Sequence, residues 1–303
     1  MTKAAAEATK PAITTPAISQ AMIDAYDEYT HLTLDRRRFM EQLTRLAGSG
    51  AAAAAIAPLL AANSAQAAIV ADNDPRVKAQ DITYPGSSGE MKGYLVKPAS
   101  QSGKLGSVIV VHENRGLNPH IRDVARRVAL EGFVALAPDF LSPLGGTPTD
   151  EDKARDMFTK LDASQVTADG LATIAYLKAE KGGNGKVGAV GFCWGGGAVN
   201  DLAVNAPDLA AGVAYYGMQP KAEDAAKIKA ALLLHYAGLD ERIDAGIDAY
   251  KKALDAAHVE YTVYVYDGVN HAFNNDTSAA RYDKKAADLA WGRTIAFLKE
   301  KLA

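Results

Sequence analysis

The chain has 303 residues and is close to neutral, with 33 Lys and Arg against 36 Asp and Glu and a formal net charge of −3. No basic surplus points to nucleic acid, and no long charge block suggests an interaction tail. A single cysteine excludes an intrachain disulfide and any multi-cysteine metal cage, while 48% hydrophobic residues suffice for a sizeable core.

Residues 1–67 differ in composition from the rest. The stretch up to Leu34 mixes small and polar residues with no sustained period. It is followed by "DRRRFMEQLTRLAGSGAAAAAIAPLLAANSAQA". Arg36 and Arg37, then Arg38 and Phe39, resemble the twin-arginine export signal of bacteria. The Ala-rich run behind them suits the apolar part of such a leader, and "AQA" at 65–67 is a small-x-small cleavage site. These features predict a leader over 1–67, export to the periplasm or beyond through the twin-arginine machinery, and a mature chain from Ala68. The alternative is an Ala-rich amphipathic helix on a cytoplasmic enzyme. No stable membrane insertion is expected, because Gly, Ser, Pro and Asn interrupt the apolar run short of about 20 strongly apolar residues.

From about residue 75 strand-like and helix-like stretches alternate. "DITYPG" and "MKGYLVKP" flank "GSSGE" as an opening hairpin. "SVIVVHE" (107–113) is a β-branched run, the pattern of a strand buried on both faces. "NPHIRDVARRVALEG" sets Ile121, Val124, Ala125 and Val128 at helical spacing and ends on Gly132. "FVALAPDF" reads as the next buried strand. The stretch from Thr149 to Gly182 has helical periodicity with an acidic start and a basic end. Then "KVGAVGFC", "AAGVAYYG", "AALLLHYAG" and "VEYTVYVYDG" predict four strands. "GGGAVNDLAVNAPD" and "ERIDAGIDAYKKALDAAH" between them, and the tail from Ser278, read as helices. The pattern predicts one α/β domain over 68–303, a mainly parallel sheet with helices on both faces.

In such sheets functional groups collect at the carboxyl ends of strands. One strand ends in Gly191-Phe192-Cys193-Trp194-Gly195, a G-x-nucleophile-x-G pattern with cysteine in the serine position. The glycines permit a strained strand-to-helix turn that lifts the sulfur above the sheet and aims the first helical N–H groups at it. A thiolate needs a base. Among six histidines, His31 lies in the leader, His120 and His258 fall in helix-like stretches expected to be exposed, and His112 and His235 sit in apolar runs. His271 follows the last strand in the loop "VNHAFNND". Asp240, in the loop after "AALLLHYAG", suits the orienting acid. Glu241 and Asp244 are expected to begin the next helix, and Asp267 is the rival. Cys193, Asp240, His271 is the chain order of nucleophile, acid and base in α/β-hydrolases. Glu113 and Asn114 end an early central strand, where the loop supplies the second oxyanion donor. "HE" there is no zinc-protease motif, since Gly116 occupies the place of the second histidine of H-E-x-x-H.

"HENRGL", "PDFLSP", "GFCWGG", "AGLDERI" and "NHAFNND", in this order and spacing, resemble the dienelactone hydrolase family (carboxymethylenebutenolidase-like) across residues 80–303. The resemblance implies an α/β-hydrolase fold, Cys193 as nucleophile, Asp240 as acid, His271 as base and the backbone N–H groups of Asn114 and Trp194 as oxyanion donors. It also implies that Glu113 pairs with the resting thiol and takes its proton when substrate binds. Dienelactone-cleaving members carry serine directly after the histidine and arginine four positions after it, both holding a substrate carboxylate. This chain has Ala272 and Asn275 there. Arg115, Arg155 and Arg281 are the remaining candidates for anion binding.

The expected chemistry is hydrolysis of a lactone or small ester through an acyl-enzyme, with no metal or organic cofactor. The same residues would serve a thioesterase or peptidase, and the same fold could act as a non-catalytic small-molecule-binding protein.

Overall fold

A computed structural model describes residues 17–31, 33–63 and 68–303. The proposed cleavage site at 65–67 lies outside the described residues. The chain divides into two units, Met1–Ala61 and Ala62–Ala303.

Within the first unit the sequence predicted no regular structure before Leu34, yet a helix, α1, spans Gln20–Thr30. Tyr26 and Tyr29 lie one turn apart on α1, and both pack on Phe39 at ring-centroid distances of 5.9 and 4.8 Å. Phe39 belongs to α2 (Arg36–Ala47), which starts where Asp35 accepts from the Arg38 N–H and ends at left-handed Gly48. α3 follows over Gly50–Leu60. Among the described residues no single helix is long and apolar enough to cross a membrane. α2 and α3 reach that length and composition only as a pair bent by 112°.

The second unit is built on an eight-stranded sheet: β1 (Val77–Pro85), β2 (Glu90–Pro98), β3 (Leu105–Val111), β4 (Val134–Asp139), β5 (Gly183–Phe192), β6 (Ala211–Tyr215), β7 (Ala231–Ala237) and β8 (Tyr261–Tyr266). Its order is β1-β2-β4-β3-β5-β6-β7-β8. The opening hairpin β1–β2 joins β4 antiparallel, and every later pairing is parallel. This is the α/β-hydrolase architecture that the sequence predicts.

β4, β6 and β7 are buried along their whole length, because helices cover both faces of the sheet. One core packs on each face. At the edge, β1 turns Lys78, Gln80 and Asp81 to solvent, which discourages pairing with another chain. α4 (Pro119–Leu130) buries the four residues whose spacing predicted it. It begins with Pro119 and a cap from the Asn118 side chain to the Ile121 N–H at 3.1 Å, an arrangement that stabilises by about 1 kcal/mol. The start of this unit is tied to α4 as well. Asp123 accepts from the N–H groups of Ile69 and Val70, and Arg126 donates to the Val70 carbonyl.

Two stretches that read as single helices are broken. The first forms α5 (Glu151–Phe158) and α6 (Ala163–Lys178), because Asp162 caps a new helix through the Gln165 N–H. "ERIDAGIDAYKKALDAAH" forms α8 (Glu241–Asp244) and α9 (Ile247–Ala256), parted at Gly246. Between them in the chain, α7 (Trp194–Asn205) follows β5, and α10 (Lys284–Leu302) closes the unit, capped by Asp283.

Candidate functional site

β5 is buried throughout its last six residues and delivers Cys193 to the carboxyl edge of the sheet. Cys193 has φ 56° and ψ −117°, a conformation an L residue adopts only under strain of about 1–3 kcal/mol. Its N–H donates to the Tyr215 carbonyl at 3.0 Å, and its carbonyl accepts from Gly196 and Gly197. The turn explains the flanking glycines. A Cβ on Gly191 would run into the carbonyl of Gly195, and one on Gly195 would lie 2.5 Å from the Val111 oxygen. Trp194 opens α7, so its N–H has no acceptor within the helix and lies beside the sulfur's own residue.

Asp240 ends the turn after β7 and His271 lies in the loop after β8. His271 Nδ1 and Asp240 Oδ2 are 2.5 Å apart, both side chains being buried. A carboxylate only accepts, so Nδ1 carries a proton, and in the neutral imidazole the second ring nitrogen keeps its lone pair. A ring nitrogen of His271 and the Cys193 sulfur lie within 4.8 Å of one another. The other Asp240 oxygen accepts from the Ile243 N–H at 3.3 Å, capping α8. Asp267 is exposed in the turn after β8. Asp244, on α8, has its carboxyl pushed up to about 6 by burial and by the neighbouring charge of Asp240.

Glu113 lies just beyond β3, and its Oε2 accepts from Asn275 Nδ2 at 2.8 Å. Asn275 is itself held, because its Oδ1 accepts from the N–H and the hydroxyl of Thr277 at 3.0 and 2.6 Å. Glu113 Oε1 is buried and has no hydrogen-bond partner among the described residues. The loop is set by His112. Phe140 N–H donates to His112 Nε2 at 3.2 Å, which leaves Nδ1 protonated and donating to the Glu113 carbonyl at 2.7 Å. Burial holds this imidazole below its ordinary pKa. Its ring stacks on Trp194 at 5.4 Å, and Phe140 and Phe158 close around the indole.

Sequence reasoning missed Tyr216, at the end of β6. Its ring centroid lies 4.8 Å from that of His271, and its N–H donates to the His235 carbonyl. Burial, then the charges of Glu113 and Cys193, raise its phenol well above the usual value. Tyr216 (φ 39°) and Ala272 (φ 64°), like Cys193, are non-glycine residues in left-handed backbone. The only sequence trace of this was "YYG" at a strand end.

The three arginines fall in different settings. Arg115 donates to the Glu151 carbonyl and to Asp152 at 2.9 and 3.0 Å. Arg155 is paired with Asp156 at 2.7 Å and approaches Asp152 at 3.6 Å. Buried Arg281 donates through Nε to Ser278 at 3.0 Å.

One expectation about the histidines changes, that for His120, and the reading of His235 as a core residue of an apolar run holds. His120 is buried rather than exposed, and its Nδ1 lies 3.1 Å from an Asp276 oxygen, because it shares the inner face of α4 with Ile121. His235 is a satisfied core residue between Tyr266 and Thr294, held down to about pKa 3 by burial and by Arg293.

The family model described as "Dienelactone hydrolase family" matches residues 91–302. An Escherichia coli O157:H7 protein named "Putative carboxymethylenebutenolidase" is 33% identical over 256 residues, covering 79% of this chain and 93% of its own. A crystal structure of a "Putative Dienelactone Hydrolase" from Klebsiella pneumoniae subsp. pneumoniae MGH 78578 superposes with a TM-score of 0.67 at 31% identity. It covers 73% of this chain and 97% of that one. A dienelactone hydrolase-like promiscuous phosphotriesterase from metagenomic libraries gives 0.69 at 25% identity, covering 75% and 100%.

Proposed function

Because the chain belongs to the dienelactone hydrolase family, we propose that it hydrolyses small carboxylic esters or lactones with Cys193 as nucleophile, His271 as base and Asp240 as the residue that orients the base. The family makes it an ester or lactone hydrolase; the assignment of roles is our own. One observation carries that assignment. The Asp240–His271 hydrogen bond fixes the proton on Nδ1, which leaves Nε2 of the neutral ring as its basic nitrogen, and a ring nitrogen of His271 lies within 4.8 Å of the Cys193 sulfur.

The proposed reaction has two halves, acylation of Cys193 and hydrolysis of the acyl-enzyme. The thiol proton passes to His271, with Glu113 as its first acceptor. The sulfur bonds to the carbonyl carbon, and the C=O electron pair moves onto oxygen, which the N–H groups of Trp194 and Asn114 hold. Collapse breaks the C–O bond, and the imidazolium gives its proton to the departing alkoxide. Neutral His271 then takes a proton from water. The resulting hydroxide attacks the thioester and expels the thiolate, which is reprotonated. Throughout, Asp240 stabilises the transient imidazolium.

Replacing Cys193 by Ala should lower kcat/KM on an aryl acetate by about a thousandfold or more. Undiminished hydrolysis by the folded variant would sink the assignment. The Arg36–Arg37 pair and Phe39, ahead of an Ala-rich run, support export through the twin-arginine machinery as part of the same proposal.

A further inference from the structure

We infer that the substrate is uncharged around the scissile carbonyl, a neutral lactone or ester rather than one bearing a carboxylate, because Arg115 and Arg155 are engaged by acids of α5, Arg281 is bonded to the Ser278 hydroxyl, and Glu113 is held by an amide. This rests on Cys193 being the attacking group, as proposed above.

The charges can be taken element by element. From the loop after β3, Glu113 presents a carboxylate whose bonded partner is the amide of Asn275. An amide dipole orients a carboxylate without cancelling its charge, whereas a guanidinium would do both. The hydrogen bonds from Thr277 fix which end of the Asn275 amide faces Glu113. Along α5 the balance is acidic. Arg115 and Arg155 share Asp152, Arg155 also holds Asp156, and Glu151 stands beside them with its carboxyl raised by burial. From the loop after β7, the charge of Asp240 is matched only when His271 is protonated.

The remaining cation is Arg281. It is bonded to Ser278, and its field reaches the Tyr216 phenol, as do those of Glu113 and Cys193. Among the described residues, Arg281 is thus the arginine whose field opposes those of Glu113 and Cys193 at Tyr216. A substrate carboxylate about 5 Å from Glu113, at an effective dielectric constant of about 20, would bind roughly a few hundredfold less well than its neutral counterpart, less whatever Arg281 offsets.

The test compares p-nitrophenyl butyrate with mono-p-nitrophenyl succinate on the full chain, at low salt and in 0.5 M NaCl. We expect kcat/KM to favour the neutral ester by about tenfold or more, with the gap narrowing in salt as repulsion is screened. Alkylation gives a second readout that needs no turnover. Cys193 is the only thiol in the chain, so rates with iodoacetamide and iodoacetate, each divided by the rate with a free small thiol, report the charge preference of the site. Relative exclusion of iodoacetate is expected. A preference for the succinate ester, or for iodoacetate, would overturn the inference, above all if Arg281→Met abolished it. If neither ester is hydrolysed while iodoacetate is still excluded, the hydrolase assignment fails and the charge preference stands.

Discussion

Replacing Asp240 by Asn tests the site at the atom that matters most. In the native chain one oxygen of Asp240 accepts from His271 Nδ1 at 2.5 Å and the other from the Ile243 N–H at 3.3 Å. Asn has one oxygen and one NH2, so it can satisfy only one of these donors. If the NH2 faces His271, Nδ1 must become the acceptor. The ring proton then moves to Nε2, which loses its basic lone pair. If the oxygen faces His271, the NH2 opposes the Ile243 N–H and the α8 cap is lost. At 3.3 Å that bond is long, so its loss costs at most about 1 kcal/mol. In that orientation the tautomer survives, but the charge-assisted bond to the imidazolium, about 1.5–3 kcal/mol, becomes a neutral one. The first outcome predicts a fall in kcat/KM of about ten-thousandfold. The second predicts roughly tenfold to a hundredfold, with Tm lowered by about 2–4 °C. Hydrolysis of an aryl acetate between pH 5 and 9, beside a thermal melt, distinguishes them. Activity within about threefold of the parent, in a variant as stable as the parent, would refute the role given to Asp240. Asp267→Asn, at the exposed rival, should leave both readings unchanged.

Other outcomes follow from the same geometry. Gly195→Ala sets a methyl against the Val111 and His112 carbonyls and pushes the start of α7 away from the end of β3, so it should cost about 1–3 kcal/mol of stability and most of the activity. Wild-type melting and turnover in that variant would contradict the packing described. His235, held neutral in the fold, must remain uncharged while its unfolded counterpart binds a proton below pH about 6.5. Stability should therefore be fully present above that pH and fall by about 2–3 kcal/mol on lowering it to 4.5, as read by denaturant titration of the parent against His235→Gln. N-terminal sequencing of the protein from its native host should find Ala68 first; an intact leader on periplasmic material would refute cleavage there.

The strands and their mainly parallel pairing were legible because apolar β-branched runs alternate with helix-like stretches. The triad candidates were legible because each stands at the end of such a run. What stayed hidden depends on pairs distant in sequence. The Glu113–Asn275 bond spans 162 positions, and the pairing of Arg115 with Asp152 spans 37. Local pattern carries no trace of either. Tyr216 escaped notice because a tyrosine ending an apolar run is indistinguishable from core until the sheet places it against His271. The breaks at Asp162 and Gly246 were missed because helical periodicity resumes in nearly the same phase beyond each one. His120 was misplaced because its polarity was weighed above its position next to Ile121 on the inner face of α4.

His112 bears on how this protein's kinetics are to be interpreted. Its two ring nitrogens bridge the end of β4 to the Glu113 carbonyl, with Nε2 accepting and Nδ1 donating, and burial holds the imidazole below its ordinary pKa. The loop that carries Glu113 and Asn114 is therefore pinned by a neutral ring, since a proton on Nε2 would set two donors against each other at the Phe140 N–H. Protonation of this one ring would loosen the loop that carries the reacting carboxylate, so the acid limb of a rate profile includes the scaffold as well as the reacting side chains.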